Sequence, residues 1–190
     1  MWFLTCLPAT PGRGRLPLAQ DGTLGSPVLE MDIALEEFRI PKRRVPAQLV
    51  LPGGETRQVH VFLNEATPGI PQGERLSDLL NGESKFVPVS DVARETVTFV
   101  NSASIALAWV EAAHELREEE RLTILTEHEV EVRMVDGQKL QGLVTYLQPN
   151  DRSRLMDYLN GTPSFLRLIQ GERMALINKR HVAYVEFLSP

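Results

Sequence analysis

Arg75-Leu76-Ser77-Asp78-Leu79-Leu80-Asn81-Gly82 returns as Arg154-Leu155-Met156-Asp157-Tyr158-Leu159-Asn160-Gly161, identical at six of eight positions and 79 residues further on. Dense self-similarity at one offset marks a repeated structural unit. Phe86 and Phe165 keep the same offset. Upstream, Gly53 with Gly137 and Leu63 with Leu147 match at 84 residues; downstream, Asn101 with Asn178 and Ile105 with Val182 match at 77. Offsets that change only across loops place the same elements in the same order in both copies.

The second copy is the easier one to read. Val130–Val135 leads into Asp136-Gly137, a strong hairpin signal, and then into Lys139–Leu147, where Leu143, Thr145 and Leu147 alternate with Val144 and Tyr146. Leu155, Tyr158 and Leu159 fall at helical spacing, and Asn160-Gly161 supplies a stop. Strands at Phe165–Ile169, Arg173–Ile177 and Val182–Leu188 complete five strands and one short helix. In the first copy the hairpin runs from Gln48–Leu51 through Pro52-Gly53-Gly54 to Arg57–Leu63, and the last strands are Thr96–Val100 and Ile105–Val110. A helix of one or two turns is held by tertiary packing, so Leu79 with Leu80, and Tyr158 with Leu159, should each place at least one member deep in a core. The expected organisation is a flexible tail over 1–39, repeats at 40–110 and 125–190, and a charged helical linker over 111–124. Its glutamates are read as solvated. The expected topology is the same five strands in both repeats, and a single continuous sheet, or two halves of different fold, would sink the reading as a duplication.

Of 190 residues, 43% are hydrophobic and 24% charged, enough apolar material for a folded core. A net charge of -5 argues against a chain whose main task is coating a phosphate backbone. Cys6 is the one cysteine, which excludes an internal disulfide or a cysteine-built zinc site and suits the cytoplasm. No apolar run approaches membrane-spanning length. Residues 1–30 are rich in Pro and Gly, and Met31 is a candidate true start.

A β-hairpin, then Arg-Leu-x-Asp-x-Leu-Asn, then a Phe-led strand and a closing Asn-x-x-x-Ile/Val strand resembles an uncharacterised bacterial family classed as a domain of unknown function. That resemblance implies no activity. The strand plan is also similar to the small five-stranded barrels of the Sm-like and SH3-like kind. It implies a mainly β fold of two tandem barrels, each with one short helix and closed on itself so that few free edges remain. Asn178-Lys179-Arg180-His181-Val182 resembles the loop and last strand that Sm-like proteins use against RNA, although Asn101-Ser102-Ala103-Ser104 in the first copy carries no charge. Arg43-Arg44 ahead of a barrel resembles PilZ-type cyclic dinucleotide receptors, but their Asp/Asn-x-Ser-x-x-Gly motif is missing.

Two basic clusters are the candidate binding residues: Lys42, Arg43 and Arg44 ahead of the first strand, and Lys179, Arg180 and His181 after the fourth strand of the second copy. Short basic runs also serve as solubilising strand edges. Arg75, Asp78 and Asn81, with Arg154, Asp157 and Asn160, recur in both copies, and helix pairing and turn capping account for them. His60, His114, His128 and His181 form no ligand pair, and no Gly-x-Ser-x-Gly elbow or phosphate-cradling loop occurs. The expectation is therefore no catalytic residues, no metal and no cofactor. The leading reading is a non-enzymatic adaptor that binds protein partners, as an internal pseudo-dimer or a homo-oligomer. The alternative is an Sm-like single-stranded nucleic-acid binder acting through Lys179, Arg180 and His181.

Overall fold

The computed structural model describes residues 41–66, 71–94, 96–118, 120, 126–146 and 155–188. The expected tail over 1–39 lies outside them. The first half contains β1 (Lys42–Val50), β2 (Thr56–Asn64), α1 (Leu76–Asn81), β3 (Phe86–Asp91), β4 (Val97–Asn101) and β5 (Leu107–Glu111). The second contains β6 (Thr126–Met134), β7 (Lys139–Tyr146), α2 (Leu155–Leu159), β8 (Phe165–Gln170), β9 (Arg173–Asn178) and β10 (Val182–Phe187). A short 3-10 turn, Ser102–Ser104 or Lys179–His181, joins the last two strands of each half. Alternation of buried and exposed residues along β1 and β2 brings Val45, Ala47 and Leu49 over Val59, Val61 and Leu63, as a pleated strand with one covered face requires.

The strands form one antiparallel sheet in the order β10-β6-β7-β8-β9-β5-β1-β2-β3-β4. This corrects the expectation of two closed barrels. The outer edge of β5, which would have to meet β4 for the first half to close, is taken by β9 of the second half, from Leu107 opposite Ile177 to Glu111 opposite Arg173. A strand edge has one row of outward N–H and C=O groups, so the joint is made instead of closure.

A single continuous sheet is also the outcome set against the duplication, and the chain shows it; the strand order inside each half repeats all the same, because joining two halves edge to edge leaves that order unchanged. Within each half the last strand lies beside the first, and the remaining strands follow in sequence. The registers agree as well. Val50 opposite Thr56 corresponds to Arg133 opposite Lys139, His60 opposite Ser90 to Leu143 opposite Ile169, Phe86 opposite Asn101 to Phe165 opposite Asn178, and Val50 opposite Leu107 to Arg133 opposite Tyr184. The first hairpins therefore match at 83 residues, not 84. Gly54, with φ of 86°, is the counterpart of Gly137, with φ of 91°, and Leu63 is the counterpart of buried Tyr146. Two adjacent glycines in the first turn allow either alignment by sequence.

β9 and β5, at the centre of the sheet, bury both faces. Met174 and Leu176 join a core formed chiefly by the first half, while Ala175 and Ile177 join the core of the second. Ala108 and Val110 likewise face the first core, and Leu107 and Trp109 the second. Both halves belong to one compact unit, Ile40–Pro190.

The helices differ in depth. Leu76 and Leu80 of α1 are buried, and α1 packs on β8 of the other half. In α2 only Leu155 is buried, whereas Tyr158 and Leu159 are half-buried, against the expectation for that pair. Tyr158 stacks on Tyr146 at 4.9 Å and its hydroxyl accepts from the Arg167 N–H at 3.2 Å, an amphipathic role at the border of the core.

Candidate functional site

Three features are the candidates: a charged cluster where the halves meet, the two basic runs, and the two ends of the sheet. The cluster is built around α1. Arg75 stands at its N-cap, donating Nη2 to Asp78 Oδ1 at 2.7 Å while the Asp78 carboxylate accepts from the Arg75 backbone N–H. Arg75 Nη1 and Arg167 Nη1 both donate to Glu120 Oε1, at 2.9 and 3.0 Å, and Arg167 Nη2 reaches Glu120 Oε2 at 2.9 Å. Glu115 is buried, and its carboxylate accepts from the Ser77 N–H at the first turn of α1. Asn81 closes the other end: its Nδ2 donates to Ser77 O, and its Oδ1 accepts from the Phe165 N–H at 2.8 Å.

Burial and neighbouring charge oppose each other in this cluster. Burial would raise the Glu120 carboxyl, but the hydrogen bonds and charge of Arg167, with help from the Arg117 N–H and Arg75, bring it down to about 2. Burial pushes Asp78 up too, and Arg75 outweighs it, holding Asp78 below the ordinary carboxylate range. At Glu115 burial wins, and the carboxyl is raised despite the Ser77 bonds and the charges of Arg167 and Arg75. The reading of the glutamates of 111–124 as solvated is thus corrected at Glu115 and Glu120, while residues 118 and 120 are helical and Glu118 is exposed. Glu111 ends β5, Ala112–His114 is a 3-10 turn, Glu115 is buried and Glu120 is paired to both halves. Charge density alone does not reveal which glutamates have partners. A shallow cleft of about 240 Å³ opens beside the cluster, near Arg43, Arg75, His114 and Arg117.

The basic runs are not brought together. Lys42, Arg43 and Arg44 lie within β1 rather than ahead of it. Arg43 Nη2 donates to Glu74 O at 2.9 Å, and Arg44 sits 5.5 Å from the centre of the Phe62 ring. Lys179, Arg180 and His181 form the 3-10 turn between β9 and β10. Lys179 Nζ donates to Gly161 O at 3.0 Å and Tyr158 O at 3.4 Å, neutralising carbonyls at the end of α2, and burial lowers its pKa. Arg180 donates its backbone N–H to Asn178 Oδ1, and His181 Nε2 is buried without a partner among the described residues. No hydrogen bond or ion pair links the two runs among the described residues.

The sheet ends escaped the sequence reading. Among the described residues, β4 and β10 each have a neighbouring strand on one side only. Val97 and Phe99 on β4, and Tyr184 and Phe187 on β10, are exposed large apolar residues. Alternation identified them as strand residues, but which edge stays open is a property of the assembled sheet.

No family model, curated protein or solved structure matches this chain. Among the described residues, no helix is long and apolar enough to cross a membrane.

Proposed function

We propose that this protein is a non-enzymatic interaction module, a duplicated five-strand unit whose binding surfaces are the open edges β4 and β10. One observation carries the reading: among the described residues, both terminal strands leave a row of backbone donors and acceptors without a neighbouring strand and set exposed aromatic residues along it. Proteins ordinarily protect such edges with charge, proline or bulges, so an apolar open edge is a place where another extended segment is added to the sheet. The bulge in β10 at Ala183 precedes the run from Tyr184 to Phe187 and leaves that run regular. Nucleic-acid binding through Lys179, Arg180 and His181 is the weaker reading, because Lys179 is engaged by two carbonyls and Asn101–Ser104 offers no second cationic turn.

The test is a photo-crosslinking amino acid placed at Phe99 or Tyr184 in cells, with exposed Val135 in the hairpin after β6 as control. Discrete protein adducts from the edge positions and none from the control are expected. Edge positions that give no protein adduct reject the reading. RNA adducts from a probe at Arg180, with silent edges, establish the alternative.

A further inference from the structure

We propose that the two open edges are made for each other, so that β10 of one chain adds to β4 of a second copy and repeats between molecules the joint that β5 and β9 make within one. This rests on the interaction reading above and names the partner. The repeat makes β4 the counterpart of β9, and β10 the counterpart of β5. The first-half edge is therefore a copy of the surface that β5 covers inside the chain. The second-half edge is a copy of the strand that covers it.

The exposures follow that correspondence residue by residue. Phe86 is 57% exposed where its counterpart Phe165 is 3%, and Phe99 is 68% where Leu176 is 0%. On the other side Tyr184 is 46% exposed where Leu107 is 0%, and Phe187 is 56% where Val110 is 3%. Large apolar side chains thus stand in water at the positions that the internal joint buries. That burial is the main driving force for association.

Two asparagines add a polar argument. Asn178 Nδ2 donates across the internal joint to Ile105 O at 3.0 Å, and the Asn178 N–H donates to Ala106 O. Asn101, its counterpart, makes the same turn bond to the Ala103 N–H, yet its Nδ2 has no acceptor among the described residues. Asn81 Oδ1 accepts from Phe165 across the joint; Asn160 keeps only the helical bond to Met156 O, and its Oδ1 has no donor among the described residues. A neighbouring chain in the same register supplies both, Val182 O to Asn101 and the Phe86 N–H to Asn160. That register places Tyr184 opposite Val100, Val185 opposite Phe99, Glu186 opposite Thr98 and Phe187 opposite Val97.

The ionic part of the joint is not repeated, since Arg167, which holds Glu120, has Pro88 as its counterpart. The intermolecular contact is consequently apolar and strand-bonded, weaker than the internal one and insensitive to salt. Because the two surfaces differ, the contact is head-to-tail, and it continues until a ring closes or a filament grows.

Sedimentation of the full chain tests this, with Phe99→Asp and Phe187→Asp as variants at exposed positions whose melts report that they remain folded. The wild type is expected to exceed monomer mass increasingly with concentration, at low and high salt alike. Each variant alone is expected to be monomeric, having lost one of the two surfaces on every chain. An equal mixture is expected to form dimers and nothing larger, because each kind of chain retains the surface the other lacks. In a Cys6→Ser background, chains with Phe99→Cys and chains with Val185→Cys should form mixed disulfides on oxidation. A wild type that is monomeric at every accessible concentration, assembly that survives both aspartates, or Phe99→Cys chains that crosslink chiefly to themselves would overturn the proposal. If the chain is monomeric while edge probes still capture other proteins, this inference fails and the interaction reading stands. If the edges capture nothing, both fail.

Discussion

Glu115 and Glu120, in one short segment, respond to acid in opposite directions. Glu120 has a folded pKa of about 2 against an ordinary 4.5, so its stabilising contribution is complete above 4.5 and is lost as the pH falls towards 2. Glu115 is raised, so its charged form costs stability at neutral pH, and that cost is relieved as the pH drops through its folded pKa. Glu120→Gln is therefore expected to lower stability at pH 7 by about 1 to 2 kcal/mol, the range for a charge-assisted hydrogen-bond set partly screened by solvent, and to make little difference near pH 2. Glu115→Gln keeps an oxygen for the Ser77 N–H and removes the buried charge. It is expected to raise the melting temperature at pH 7, with the gain vanishing at acid pH. Thermal melts of both variants from pH 2 to 8 check this, and parallel pH profiles for the two would refute the assignment. Neither role was legible in the sequence, where the run around Glu118, Glu119 and Glu120 has the look of a solvated face.

At the scale of elements, much of the plan was legible and its limits have local causes. The helix motif, the Asp136-Gly137 turn and the period-2 strands were placed by residue chemistry that acts over a few positions. β1 and β6 begin earlier than expected, at Lys42 and Thr126, because pairing with β2 and β7 extends strands through polar residues that carry no apolar signal. The depth of each helix was not legible: α1 is covered by β8 of the other half, and nothing equivalent covers α2 among the described residues. Leu76→Ala is accordingly expected to cost about 2 to 5 kcal/mol as a core truncation, and Leu159→Ala clearly less. Denaturant melts that reverse this order would count against the packing described. Gly142 in β7 is a second case. A Cβ there meets the carbonyl oxygen of Ile169 in β8, where the two strands pair through Leu143 and Ile169. Its counterpart in β2 is Val59, so the repeat itself tolerates a side chain, and only this close approach forbids one. Gly142→Ala is expected to destabilise by about 1 to 3 kcal/mol, as overpacking does, and an unchanged melt would show that β7 and β8 can move apart freely.

At the scale of the molecule, the repeat was legible and the joint was not, because an edge strand looks the same in sequence whether it closes its own half or extends the other. The joint changes what a domain means in this chain. Each core borrows from the opposite half: Met174 and Leu176 lie among first-half residues, while Leu107 lies among second-half residues. Two domains on a linker would melt separately, each at its own temperature. Interleaved cores cannot, since unfolding either half strips one face from the central strand of the other. The unit from 40 to 190 is therefore expected to unfold in a single transition, with calorimetric and van't Hoff enthalpies in agreement. Leu107→Ala is the decisive variant, because this residue belongs to the first half by sequence and to the second by packing. It should cost about 2 to 5 kcal/mol and move the whole transition down as one. If it splits the transition, so that the first half melts early while the second holds its temperature, the two cores are independent and β5 is merely docked on β9.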